Sequence, residues 1–130
     1  LLPSPRLLKR IGRFAEELGE RMALEPRNVA WLSEDIVGAL RDLGVTMVSV
    51  DAPEFGWLVR TSGSVYLRMH GRTAWYAHRY SREELRSLAV RALGLRAERL
   101  YVFFNNDHDM LDNAREMLAL LRSLEESSSD

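Results

Sequence analysis

Two carboxylates, Glu25 and Asp51, close two short extended stretches, and Arg68 and His70 alternate at the end of a third. Side chains two apart on a strand project to the same side, so Arg68 and His70 face one way together. Neighbouring strands lie about 4.8 Å apart, a spacing that brings Glu25 and Asp51 within reach of one substrate. Paired carboxylates divide acid and base roles when their surroundings separate their pKa values. An imidazole at the rim acts as acid, base or anchor. A buried arginine is costly unless it meets an anion, which here is either a ligand or one of the two acids. An ordinary ion pair to Arg27 or Arg68 accounts for the same carboxylates, and spacing alone leaves both readings open. Asn105 and Asn106 end a fourth stretch, where they orient a ligand or cap the next helix. Trp75, Tyr76 and Tyr80 crowd the segment after His70 and make either a lid or a plug.

Other chemistries find little support. Asp107-His108-Asp109 has metal-ligand residue types, but consecutive residues point in different directions, and a helix N-cap explains the acids. There is no glycine-rich phosphate loop, HExxH, GxSxG or nucleotide fingerprint, so no metal is expected and no cofactor is named. Cysteine is absent, which removes thiolate sites and disulfides. Net charge is −1, yet residues 55–82 hold no acid, five arginines (Arg60, Arg68, Arg72, Arg79, Arg82) and two histidines. Guanidinium grips phosphate or carboxylate by two parallel hydrogen bonds, so this stretch suits a small anionic ligand, with Arg72 beside Arg68.

The elements that must position these groups alternate. Ser4-Pro5 starts a helix with apolar residues at helical spacing to Leu18, and Gly19 stops it. A short strand over 21–25 ends at Pro26. Ser33 caps a second helix whose stripe is Ile36, Val37, Leu40 and Leu43, closed by Gly44. A buried strand over 45–50, a loop over 51–63 and a strand over 64–70 follow. Ser81-Arg82-Glu83-Glu84 is a capping box that starts a third helix to Gly94. A fourth strand covers 99–105, and a last helix runs from about Met110 through Leu124. Residues 127–130 read as a disordered tail after a single domain, 1–126.

Strands alternating with helices imply an α/β fold with a parallel sheet. An open doubly wound sheet needs two apolar faces per strand. Here one face is apolar (Val48 and Val50; Val65, Leu67 and Met69; Val102 and Phe104), while Ser49 and Asp51, Arg68 and His70, and Asn105 make the other polar. That pattern favours a (β/α) TIM-like barrel, whose sites assemble at the strand C-termini. Four strands supply only half of one, since a full barrel needs about 250 residues. A half-barrel leaves its inner face and two edges open, so a homo-oligomer or a missing N-terminal half is expected as partner. No apolar run approaches the roughly 20 residues of a membrane span, and no signal peptide is visible, so a cytoplasmic protein is the default.

Read together, several segments resemble the YecE-like family, a domain of unknown function. They are Tyr66-Leu67-Arg68-Met69-His70-Gly71-Arg72, Trp75-Tyr76, Tyr80-Ser81, and Tyr101-Val102-Phe103-Phe104-Asn105-Asn106 with Asn113-Ala114. Glu25-Pro26-Arg27 with Trp31, and Asp51-Ala52-Pro53, match earlier motifs in the same order. The resemblance implies a TIM-like barrel with these polar residues lining one pocket, and it covers the C-terminal half of family members.

The expected function is therefore an enzyme, or enzyme half, acting on a small anionic metabolite such as a phosphorylated sugar or nucleotide. Glu25 or Asp51 would be the base and His70 the acid. Arg27, Arg68 and Arg72 would hold the anion with Asn105 and Asn106, while Tyr76 and Tyr80 close the mouth. The alternative is a non-catalytic ligand-binding or assembly module. Arginines interleaved with aromatic residues would permit single-stranded nucleic acid, which balanced net charge disfavours.

Overall fold

The computed structural model describes residues 1–128. It is an α/β fold of four α-helices and six short strands among those residues. Helix α1 (Pro5–Leu18) starts as its sequence dictates, with the Ser4 hydroxyl accepting from Leu7 N and proline at its first position. Helix α2 (Glu34–Leu43) is capped by Ser33, and Gly44 ends it in the left-handed conformation. Helix α3 (Arg82–Gly94) carries the complete capping box between Ser81 and Glu84. Helix α4 (Met110–Ser128) runs through Ser127 and Ser128, the first half of the expected tail. Ser129 and Asp130 lie outside the described residues.

The strands are shorter than expected. Gly19–Arg21 is a 3₁₀ turn, so β1 is only Ala23–Leu24. The stretch expected as one strand over 45–50 divides into β2 (Thr46–Met47) and β3 (Ser49–Asp51). Its partner changes at Val48. Before that point it pairs in parallel with β1, and Val48 N still donates to Leu24 O. Beyond it, Pro26 has no N–H to offer, and β4 (Gly56–Trp57) takes over as an antiparallel neighbour. The Trp57 indole N–H closes the junction on the Val48 carbonyl at 2.9 Å. The expected loop over 51–63 thus folds back as a hairpin.

On the other side β3 pairs in parallel with β5 (Ser64–Met69), and β5 with β6 (Arg99–Phe104). The parallel strands thus follow one another in chain order through two sheets, β1-β2 and β4-β3-β5-β6, that meet at Val48. One face packs against helices: Leu67, Met69 and Phe104 meet Tyr80 and Leu85 of the α3 region and Met117 and Leu120 of α4. A second core gathers Ile11 and Ala15 of α1, Leu40 of α2, and Val45, Met47 and Val50. The opposite face is less covered. Tyr66 stacks on Phe103 with centroids 4.6 Å apart, and Tyr101 and Phe103 stay 44% and 43% exposed. No helix among the described residues is long and apolar enough to cross a membrane.

Register settles which residues share a face. Val50 lies opposite Arg68 and Phe103, whereas Asp51 lies opposite Met69 and Phe104. Residues in register on parallel strands project to the same side. Asp51 and Ser49 therefore sit on the helix side, and Val50 on the side of Arg68. This reverses the expected facing of that strand, because a one-residue shift in phase moves every side chain across the sheet.

Candidate functional site

Glu25 is the hub of the polar cluster at the C-terminal end of the sheet. One oxygen, Oε2, accepts from Arg27 Nη2 at 2.7 Å and Nε at 2.9 Å, and from Arg68 Nη1 at 3.4 Å. The other, Oε1, lies 3.3 Å from His70 Nε2. Arg68 also closes on Asn105, whose Oδ1 accepts from Nε at 3.2 Å and Nη2 at 2.9 Å. Groups from just beyond β1, from β5 and from just beyond β6 thus meet at one point. Parallel pairing puts these strand ends side by side, so the topology builds the cluster.

His70 is fully buried. A carboxylate only accepts, so the imidazole hydrogen belongs on Nε2 and the lone pair on Nδ1. Nδ1 is buried with no hydrogen-bond partner among the described residues. Burial lowers the His70 pKa, the contact with Glu25 opposes that, and the nearby Arg68 and Arg27 charges add to the lowering. The ring is therefore neutral at pH 7.

The segment after β5 wraps over this cluster. Gly71 has φ +111°, and a Cβ there would stand 2.4 Å from Ala74 O, so only glycine fits. Tyr76 N donates to His70 O at 2.6 Å, with the Tyr76 backbone itself left-handed at φ +63°. The Trp75 and Tyr76 rings flank His70 with centroids 5.6 and 5.5 Å away, and the Arg27 guanidinium lies 5.5 Å from the Trp75 ring centroid. Phe55 stacks on Trp57 and meets Trp75 edge-on, which extends the aromatic wall across β4. Although burial opposes it, Tyr76 and Glu25 together push the Arg27 pKa further up, so this cation is permanent.

Asp51 is not part of that cluster. On the helix side its carboxylate takes Arg72 Nε at 3.2 and 3.1 Å and the Tyr80 hydroxyl at 2.6 Å. Tyr80 is 2% exposed, so it does not close a mouth; its hydroxyl also accepts from Gly71 N at 2.8 Å. Burial and the Asp51 contact push the Tyr80 phenol far up, and it stays protonated. Asn106 is likewise fully buried, donating to His78 O and Asn113 Oδ1 beneath α4. Arg72 turns to Asp51 and Glu84, away from Arg68.

Of the expected site residues, the structure thus gathers Glu25, Arg27, Arg68, His70, Tyr76 and Asn105. It places Asp51, Arg72, Tyr80 and Asn106 in a second network behind them. His78 and Glu84 belong to that second network and carried no expectation of a site. The capping box made Glu84 visible, but only as a helix signal. Asp107–Asp109 is a 3₁₀ turn in which Asp109 pairs with Arg79. A separate concavity of about 380 Å³ opens at the strand N-termini, lined by Arg21, Thr46, Ser64, Glu98 and Tyr101 among others. It lies at the opposite end of the strands from Glu25.

A parallel-stranded α/β sheet with an arginine–carboxylate–histidine cluster at its C-terminal edge defines the class of protein. Within that class the chain belongs to the DUF72 family, proteins of unknown function, whose model matches residues 1–130; the YecE-like label denotes the same family. Two solved structures share the fold. A DUF72 family protein from Enterococcus faecalis superposes with TM-score 0.82 at 20% identity, over 93% of this chain and 55% of that one. Another, from Thermotoga maritima, gives TM-score 0.77 at 30% identity, over 95% and 54%. The chain thus spans about half the length of these relatives. No curated protein matches it.

Proposed function

We propose that this chain contributes a small-anion site with acid/base capability, built on Glu25, Arg27, Arg68, His70 and Asn105 and walled by Trp75 and Tyr76. The observation that carries the reading is the sharing of one carboxylate among two arginines and a buried neutral imidazole. Arg27 and Arg68 are both partly exposed and bring two positive charges to one negative. The surplus charge is a reason to receive an anion such as a phosphorylated sugar. Glu25 is the group within a ligand's reach, and His70 stands behind it. With its Nε2 hydrogen turned to Glu25 and its lone pair buried on Nδ1, His70 fits the role of orienting Glu25, the candidate base, better than that of the acid expected from its position alone.

The same reading takes the four parallel units as half of a TIM-like barrel. Support comes from strands in chain order, helices packed on one face, polar groups at the C-terminal ends and relatives of about twice the length. The open face of Tyr66, Tyr101 and Phe103 favours a second half as partner, from another copy or from a preceding segment. A cytoplasmic setting goes with this small-metabolite role. Nucleic acid has less support. All five arginines of residues 60–82 already have partners: Arg60 three carbonyls, Arg68 and Arg72 the contacts above, Arg79 Asp109 and Arg82 Glu116.

The test is a titration with inorganic phosphate and, separately, acetate, followed by NMR at the arginine Nε–H groups and the Asn105 amide. Shifts at Arg27, Arg68 and Asn105 that vanish in Arg68→Ala are expected. Silence at these groups up to about 10 mM, where even weak binding of about 4 kcal/mol would register, sinks the reading.

A further inference from the structure

Behind the cluster the Glu84 carboxylate does more than cap α3. Its Oε1 accepts from Ser81 N at 2.9 Å, which is the capping-box bond. The same carboxylate meets His78 Nε2 at 3.1 and 3.2 Å and Arg72 Nη1 at 3.2 Å. His78 Nδ1 in turn pairs with the Thr73 hydroxyl at 3.1 Å. Arg72 reaches across to Asp51, which holds the Tyr80 hydroxyl and through it Gly71 N. Residues 71–80 are thus tied near both ends, at Arg72 and His78, to one side chain on the first turn of α3. These residues carry Trp75 and Tyr76, and nothing in a helix-capping role requires the ties to Arg72 and His78.

From this geometry we infer that Glu84 is a positioning residue for the anion site: it fixes residues 71–80 as a rigid wall that holds the Trp75 and Tyr76 rings against His70. The inference rests on the proposed site only for what the wall is for. The wall itself is a matter of hydrogen bonds. A mobile lid would have few such ties. Here the loop hangs from two buried anchors, Tyr80 and His78, and two carboxylates, Asp51 and Glu84. Burial works against ionisation of Glu84, but Ser81 N and His78 outweigh it and lower its pKa, so the charge that Arg72 requires is present at neutral pH.

Glu84→Gln separates the two jobs, because the amide oxygen still accepts from Ser81 N while the charge for Arg72 and His78 is gone. Ser81→Ala does the converse. Amide hydrogen exchange is read in the 130-residue chain at Gly71 and Tyr76, and in α3 at Leu88, Ala89 and Ala92. Glu84→Gln is expected to speed exchange at Gly71 and Tyr76 by about tenfold or more, with α3 within about twofold of the parent. Ser81→Ala should do the opposite. Phosphate affinity, read by the titration above, should fall in Glu84→Gln alone. Unchanged protection at Gly71 and Tyr76, or equal loss across the loop and α3, overturns the inference. If the parent chain takes no phosphate at all, the proposed site falls, and the exchange data still decide whether Glu84 positions the loop.

Discussion

Glu25 and His70 are 45 residues apart in the chain, and their side chains meet at 3.3 Å from Oε1 to Nε2. The pair exists because β1 and β5 flank the same central strand, and both residues stand just past a strand end on its less covered face. The opposite oxygen of Glu25 is held by two arginines, so a glutamine here keeps one acceptor but loses the charge and turns an NH2 donor towards either the arginines or His70. Glu25→Gln is expected to cost about 1–3 kcal/mol in urea unfolding, the range for a partly buried hydrogen bond to a charged group. A cost below about 0.5 kcal/mol would mean that the arginines find water or each other's partners instead.

Acidification should destabilise the chain in two steps. His70 has a lowered folded pKa, so the unfolded chain takes up protons first as pH falls through about 6.5. Stability is full above that value and declines as pH falls towards the lower folded pKa. Glu84 is also lowered, so its contribution holds above the ordinary carboxylate range and is lost below it. Melting temperatures from pH 8 down to about pH 2 should drop in both windows. His70→Asn should flatten only the upper one, and an unchanged upper slope would assign that window to another group.

Gly71→Ala places a methyl 2.4 Å from a backbone carbonyl at a φ that side chains avoid. A loss of about 2–4 kcal/mol in denaturant unfolding is expected, since both strain and collision must be relieved. A loss under about 1 kcal/mol would show that residues 71–74 move aside with ease.

Tyr80→Phe deletes only the hydroxyl that joins Gly71 N to Asp51. Gly71 N is then left without an acceptor in a buried place and Asp51 keeps only Arg72, at an expected cost of about 1–3 kcal/mol by calorimetry. A neutral result would indicate a water in the vacated position.

Phe103→Ser tests the open face. The ring is 43% exposed and stacks on Tyr66, so in a lone chain its loss should change stability by about 1 kcal/mol or less. Light scattering should nevertheless show less self-association than in the parent if that face seats a second half. Equal masses for both proteins, each that of a monomer, would remove the self-association reading.

Much of this was legible in the residues because the signals were local. Ser4-Pro5, Ser33 and the Ser81–Glu84 box start helices through bonds spanning three residues. The strand ends that carry Glu25, Arg68 and Asn105 were visible from composition and from Pro26. The division at Val48 was not, since it depends on Trp57 and Pro26, which meet that strand only in three dimensions. Asp51 lies on the opposite face from the one expected because alternation gives relative phase within a strand and not its absolute orientation. Tyr80 and Asn106 follow strand ends, where periodicity stops and burial is set by α3 and α4.

Tyr76 adopts a left-handed backbone that glycine takes freely and a bulky aromatic takes at a cost of about 1 kcal/mol or more. Tyr76 is 46% exposed, so burial returns only part of that cost. The best residue for folding at this position is therefore a different residue from the one present. Tyr76→Gly should leave the chain as stable or more so while stripping one wall from the anion site. A search for thermostable variants would be drawn to this substitution, and would improve the scaffold by dismantling what it displays.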